Sequence, residues 1–470
     1  MQHVEPTTVP TSTKLAIAAV GMLSFVGILV ETSMNVTFPT LIKTMGVSLD
    51  TVQWLTTAYL LVVTIVMSTT AYILKRFNPR PLFLCAVGIC LVGGLMCLFA
   101  PTFAMLLTGR LLQAVATGIS TPLMFQIILT RVPRTQLGVY TGFASVIVSL
   151  APALGPTYGG VLTSLWSWRA IFIGIVPLLA IIAILGGTTI KGKAAGVGSL
   201  RFDYLGMIIL AALFAGIVFA FNGAGTNGWA NGHFWFWVAG SIVVAGVFWF
   251  YARHGARKLL DYRILRRPVL RLRLFTYFGL QFINIGLSLV LPLLAQTVLG
   301  ASAMSAGLML LPGALVGAVC APIAGRVYDR VGATIPLTFS SVMACLALVL
   351  LWVLTDSLTV VGIAILYVIL RIGFNSGFGV AISDGSMQVS GRQKADQNSL
   401  FSMMQQYAGS LGTSVMSAII AAFTLTMTAT RATVLGAKVD FASYSCSDSG
   451  CSWRRCMHTS PTPSRQIINK

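Results

Sequence analysis

The feature that most constrains this chain is a series of apolar blocks, each about as long as a bilayer is thick, separated by short loops. An uncharged run of 18 or more apolar residues reads as a membrane helix, because a helix rises ~1.5 Å per residue across a ~30 Å hydrocarbon layer. Such blocks fall at about 15–37, 54–74, 82–100, 103–128, 138–164, 170–188, 205–222, 234–252, 273–298, 305–325, 335–354, 359–382 and 399–426. The expectation is an all-α polytopic membrane protein with about thirteen spans. Composition agrees: 56% of residues are hydrophobic and 9% charged, against roughly 25% charged in soluble domains. The first block runs into further spans and lacks a basic leader with a cleavage site, so it reads as a true helix.

The net charge of +20 does not signal nucleic acid, because the basic residues sit in loops between spans. With the N-terminus in the cytoplasm, the cytoplasmic loops hold twenty Lys and Arg residues, and only Lys43 and Arg169 lie in loops on the other side. That asymmetry sets the orientation. Eight of the twenty, Arg253 to Arg273, crowd one loop. The basic stretches near 191–201 and 253–273 divide the spans into six, two and five. The expected plan is a cytoplasmic tail (1–14), a six-helix bundle (15–190), an inserted helix pair with basic loops (191–272), a second bundle with five visible spans (273–426) and a polar tail (427–470). The bundles carry a weak repeat: AYILKRFNPR (71–80) and AGRVYDRVGAT (324–334) each follow the second span of a bundle, as in transporters built from related halves.

The fifth span carries the strongest local signal: Gly142, Ala151, Gly155, Pro156, Gly159 and Gly160. Ala151, Gly155 and Gly159 recur every four residues and form a small-residue stripe on which another helix can pack closely. Pro152 and Pro156 free carbonyls and allow bending. Tight packing alone is the other reading. The whole run resembles the antiporter motif of the major facilitator superfamily, with Ala151 where glycine is usual.

Further segments resemble that superfamily's fourteen-span drug:proton antiporters, the EmrB/QacA-like branch. They are ETSMNVTFP (31–39), VQWLTTAYLL (52–61), GRLLQAVATG (109–118), WRAIFIGIVP (168–177), LLDYRILRRP (259–268) and AGRVYDRVG (324–332). The first span is most similar to the lincomycin-resistance type. The resemblance implies a two-bundle fold with an extra central helix pair, working as a monomer in a bacterial plasma membrane. It implies efflux of drugs or other lipophilic compounds, driven by the proton gradient with no cofactor. Against that plan a fourteenth span is missing after about residue 426, which reads as a frameshift or truncation.

Glu31 and Arg110 are the proton-coupling candidates. Acids within spans are rare and face interior cavities or partners. Burial disfavours a carboxylate, so such an acid is suited to taking up and releasing a proton. The family acid stands one position earlier, at Val30 here. A carboxylate at the outer end of the span, reached by water, is the other reading. Arg110 is the natural electrostatic partner, in the family's proton-handling position, or else it bonds backbone carbonyls structurally. Gln113 is placed to brace it. Candidates for a substrate cavity are Asn35, Gln113, Gln281, Asn284, Arg371, Asn375, Gln405 and Gln406; packing or a helix–helix hydrogen bond is the commoner reading of Asn35, Gln281, Asn284, Gln405 and Gln406, and packing and cavity lining are equal readings of Arg371. Asp384 reads as interfacial. In AGRVYDRVGAT the gating-loop candidates are Gly325, Asp329, Arg330 and Gly332, with Asp329 able to meet a cation or helix N-terminus of the opposite bundle. The first copy departs from the pattern: Ala71, Lys75 and Asn78 replace Gly, Asp and Gly.

No enzyme signature is present. A P-loop is absent, which excludes an ATP pump carried on this chain. The four His residues are dispersed. Cys446, Cys451 and Cys456 approach His458, but their spacing matches no standard zinc pattern, and no metal is expected. Two alternatives to drug efflux stand: a carrier or exporter for a physiological metabolite or osmolyte, and a non-transporting truncated product.

Overall fold

A computed structural model describes residues 9–47, 49–191, 202–227, 229, 231–254, 262–301, 303–390, 393–424 and 427–449. The chain is helical throughout these residues: α1 (Thr11–Val36), α2 (Phe38–Met45), α3 (Leu49–Arg76), α4 (Pro79–Leu98), α5 (Phe103–Arg131), α6 (Leu137–Leu165), α7 (Ala170–Thr189), α8 (Tyr204–Asn227), α9 (Gly232–His254), α10 (Pro268–Thr297), α11 (Ala303–Leu308), α12 (Leu311–Val331), α13 (Thr334–Leu354), α14 (Val360–Met387), α15 (Lys394–Thr424) and α16 (Ala429–Ser449). Helix is forced on a chain in lipid, because every backbone N–H and C=O must be satisfied within its own segment.

The helices form two bundles with matching neighbours. The pairs α1–α6, α4–α5, α3–α5 and α4–α7 of the first recur as α10–α15, α13–α14, α12–α14 and α13–α16 of the second. The contacts between bundles match too: α6 packs on α12, and α3 on α15. The fold is thus two related halves about an axis along the membrane normal, as parallel-repeat transporters are built. The inserted pair breaks this symmetry. Helix α8 lies along the α3–α15 seam, with Phe214 stacked near Tyr407 at 4.4 Å and Phe202 against Tyr72 at 5.1 Å. Helix α9 packs chiefly on α8 and exposes Trp235, Phe236, Ile242, Val243, Trp249 and Phe250, an apolar face suited to lipid. Asp203 caps α8, accepting from the Gly206 N–H at 2.9 Å and from the Tyr251 hydroxyl at 2.5 Å.

Two sequence expectations change. Among the described residues twelve helices, not thirteen, are long and apolar enough to span a membrane. Helix α15 is the one that drops out. It is 31 residues long and belongs to the second bundle, but buries Asp396, Gln397, Asn398, Ser399, Ser402 and Gln405, which dilute its apolar character. The second change concerns the tail read from 427. Residues 429–449 form α16, which turns back along α15 and packs on α13 and α10 with Ala432, Ala437 and Phe441 buried. It occupies the sixth position of the second bundle, the place that α7 holds in the first. Cys451, Cys456 and His458 lie outside the described residues, as does the side chain of Cys446.

Candidate proton and substrate site

Helix α1 carries Glu31 in its last two turns, on the side opposite the basic loops, and the residue is half-buried. Arg110 enters from the second turn of α5 and is fully buried. Glu31 stands one turn beyond Gly27, where α1 meets Thr117 of α5, yet no ion pair joins Glu31 to Arg110 among the described residues. Two contacts define where Arg110 sits. Its Nη1 donates to Gln113 Oε1 at 2.9 Å. Its guanidinium carbon lies 4.2 Å from the centre of the Tyr59 ring. Its Nε and Nη2 have no hydrogen-bond partner among the described residues.

Tyr59, on α3, was not among the sequence candidates. Its hydroxyl donates to Gly27 O at 3.2 Å and shares a 2.8 Å hydrogen bond with Thr117 Oγ1; Thr117 in turn donates to Gln113 O at 3.0 Å. Gly27 is needed here, since a Cβ would run into the Thr117 side chain. One tyrosine therefore ties α1, α3 and α5 around the arginine. The available sequence signal was weak: a buried Tyr hydroxyl needs a partner, but aromatics are ordinary in spans.

The second bundle holds a separate cluster. Arg371 of α14 is buried and donates to Asn284 Oδ1 of α10. Asn375 donates to Arg371 O at 3.0 Å. Gln281, one turn before Asn284, is buried with its Oε1 lacking a partner. Gln405 accepts from the Tyr277 hydroxyl at 2.7 Å, while Gln406 is partly exposed. The structure thus groups Arg371, Asn284 and Asn375, and engages Gln405 in a helix–helix bond. The Asn35 side chain lies outside the described residues.

Helix α6 touches both bundles through its small residues. At its far end Gly155 and Gly159 meet Thr32 and Ser33 of α1, and Ser33 Oγ donates to Gly155 O at 2.9 Å. Toward the basic loops, a Cβ on Gly142 would stand 2.6 Å from Ala321 O of α12. Ala151 is buried, whereas Pro156 and Gly160 are partly exposed.

The bundles are bolted together near the basic face. Asp329 accepts from the N–H groups of Gly138 (2.8 Å) and Val139 (3.2 Å) at the start of α6, satisfying free donors of a helix N-terminus. The segment read as a gating loop is helical: Gly325, Asp329 and Arg330 belong to the last turns of α12, and Gly332 caps it at φ 86°. Gly325 lies backbone to backbone with Gly138. On the symmetry-related seam Lys75 of α3 pairs with buried Asp396 in the first turn of α15. Thr70 donates to Ser399 at 3.0 Å, Asn398 to Pro122 O at 2.6 Å, Lys394 to Leu129 O at 2.6 Å, and Thr141 and Ser383 share a 2.6 Å bond. Asp384, read as interfacial, is buried in the protein and bound at 2.6 Å by Arg273, itself buried in α10 rather than in the basic loop. Among the described residues no three His, Cys, Asp or Glu side chains gather as a metal site.

Comparison with known proteins fits this arrangement. Residues 20–200 and 188–413 match the Major Facilitator Superfamily model. The chain is 33% identical over 413 residues to a lincomycin resistance protein LmrB of Listeria innocua, covering 86% of each. It is 30% identical over 410 residues to the LmrB of Bacillus subtilis, covering 85% of this chain and 84% of that one. Among solved structures, the human organic anion transporter MFSD10 superposes with a TM-score of 0.61 at 15% identity, over 93% of this chain and 98% of that one. The proton:xylose symporter XylE does so with 0.60 at 12%, over 93% and 94%. By family model, by relatives and by fold, this chain is a membrane transporter belonging to the major facilitator superfamily.

Proposed function

We propose that this transporter is a proton-coupled exporter of drugs or other lipophilic compounds, of the fourteen-span antiporter kind, acting as a monomer with its basic loops in the cytoplasm of a bacterium. The observation that carries the reading is a half-buried carboxyl, Glu31, on the face of α1 that meets α5, with the buried cation Arg110 on α5 and no ion pair joining the two among the described residues. An acid held in a tight ion pair stays ionised; one merely near a cation can gain and lose a proton as the surroundings change. The names of the lincomycin-resistance relatives supply the cargo class.

The alternating-access cycle follows from the contacts. With the Asp329 cap and the Lys75–Asp396 pair made, the cytoplasmic seam is shut. Protonation of Glu31 from outside removes its charge opposite Arg110 and alters the balance that holds α1, α3 and α5 together. Helix α6, whose small residues touch α1 at one end and α12 at the other, rocks between the bundles. The Arg371, Asn284, Asn375 and Gln281 group supplies the polar anchors of an otherwise apolar cavity. A non-transporting product loses its main support, since α16 fills the place of the absent span.

The test is uptake of lincomycin and of ethidium into inside-out vesicles. A proton gradient should drive accumulation, a protonophore should abolish it, and Glu31→Gln should remove it while protein reaches the membrane at the native level. Undiminished gradient-driven transport by Glu31→Gln ends the proton-site assignment.

A further inference from the structure

Tyr59 has no role in the reading above, and its surroundings are unusual for a span aromatic. It is fully buried, its hydroxyl is spent on Gly27 O and Thr117, and its ring face is turned to the Arg110 guanidinium at 4.2 Å. Arg110 has two further nitrogens, Nε and Nη2, buried without a hydrogen-bond partner among the described residues. Donors in that condition turn to the nearest acceptor unless something holds them. Glu31 follows Gly27 by one turn on α1, so it lies on the face that Tyr59 and α5 meet, yet no ion pair joins it to Arg110 among the described residues. A desolvated guanidinium over an aromatic face gains enough to be held there, and the full burial of the ring keeps that face in place.

We propose that Tyr59 is a positioning residue of the proton site: its ring parks Arg110 beside Glu31, rather than on it, while the cytoplasmic face is shut. Tyr59 also shares α3 with Lys75, whose pairing with Asp396 closes one seam. Breaking that pair lets α3 move, and its motion carries the ring away from α5. The guanidinium is then released toward Glu31. Opening of the cytoplasmic face and expulsion of the proton from Glu31 are thereby linked through one helix, with Tyr59 as the link.

This inference rests on the proton-site reading of Glu31, and its test separates the two. The readout is the rate at which a hydrophobic carbodiimide labels Glu31 in purified protein, followed by mass spectrometry. The reagent adds only to a protonated carboxyl, and no substrate is needed. In Tyr59→Leu and Tyr59→Met the released guanidinium reaches Glu31 and keeps it ionised. Labelling should slow by about threefold to tenfold, the size of a lost cation–π contact. Tyr59→Phe and Tyr59→Trp retain an aromatic face and should label at close to the native rate, which a simple loss of packing would not produce. If native protein labels at Glu31 and Tyr59→Met labels equally fast, the positioning role is wrong. It is equally wrong if Tyr59→Phe slows as much as Tyr59→Leu. If native protein takes no label at Glu31, the proton-site reading fails and this inference falls with it.

Discussion

Glu31 of the first bundle and Asp384 of the second are both acids on long helices, and their settings differ in kind. Asp384 is clamped to Arg273 at 2.6 Å in a buried pair. Removing one partner of such a pair leaves a charge without its counterion, which costs about 3–5 kcal/mol. Asp384→Asn should therefore lower the free energy of unfolding in detergent by an amount of that order, whereas Glu31→Gln should leave it within about 0.5 kcal/mol of native. Equal stability losses would mean that Glu31 is a structural acid. Glu31, Arg110 and Gln113 were legible because charged and amide groups stand out in apolar spans. Tyr59 was not, since nothing about an aromatic in a span marks the one that faces a cation. Nor was the setting of Asp384, whose partner lies 111 residues away.

The decisive elements are α6 and α3, one at each seam between the bundles. Gly142 sits where a side chain would press on the Ala321 carbonyl, and a backbone atom cannot yield as a side-chain tip can. Gly142→Val should pry α6 from α12 on the basic side. A cysteine placed at Ser383, buried there against Thr141, should then react faster with a water-soluble maleimide. At the other seam the acid has changed sides. Where the family pattern has an acid at the end of the second span, this chain has Lys75, and a cation cannot cap the positive end of α15. Asp396 meets that end instead, from within α15's own first turn, and takes Lys75 as its counterion. Lys75→Asp would set two acids across the seam and should slow transport, and Lys75→Asp with Asp396→Lys should recover part of it. A double-mutant cycle on unfolding should give a coupling of about 0.5–3 kcal/mol. A coupling of zero would remove the pair from the latch. The departure at position 75 was plain in the sequence; its compensation was not.

Across the whole molecule the two bundles match neighbour for neighbour, and α16 completes the match despite its polar composition. Its buried Phe441, Ala437 and Ala432 cover faces of α10, α13 and α15. Lys438 also reaches Asp356 at the end of α13, at 2.6 Å. A chain stopped after residue 427 should expose those faces, accumulate less in the membrane and lose its single symmetric peak in size exclusion. Native behaviour of that shortened chain would show α16 to be dispensable. The sequence alone determined that this is a polytopic helical transporter, the order of its spans, and the family, because the bilayer imposes length and polarity on each segment separately. Only the tertiary structure decided which helices are neighbours, that Lys75 meets Asp396 across 321 residues, that Arg110 rests on Tyr59, and that a weakly apolar segment fills the last place. Those depend on shape and charge matching between surfaces remote in sequence, on which local composition has no purchase.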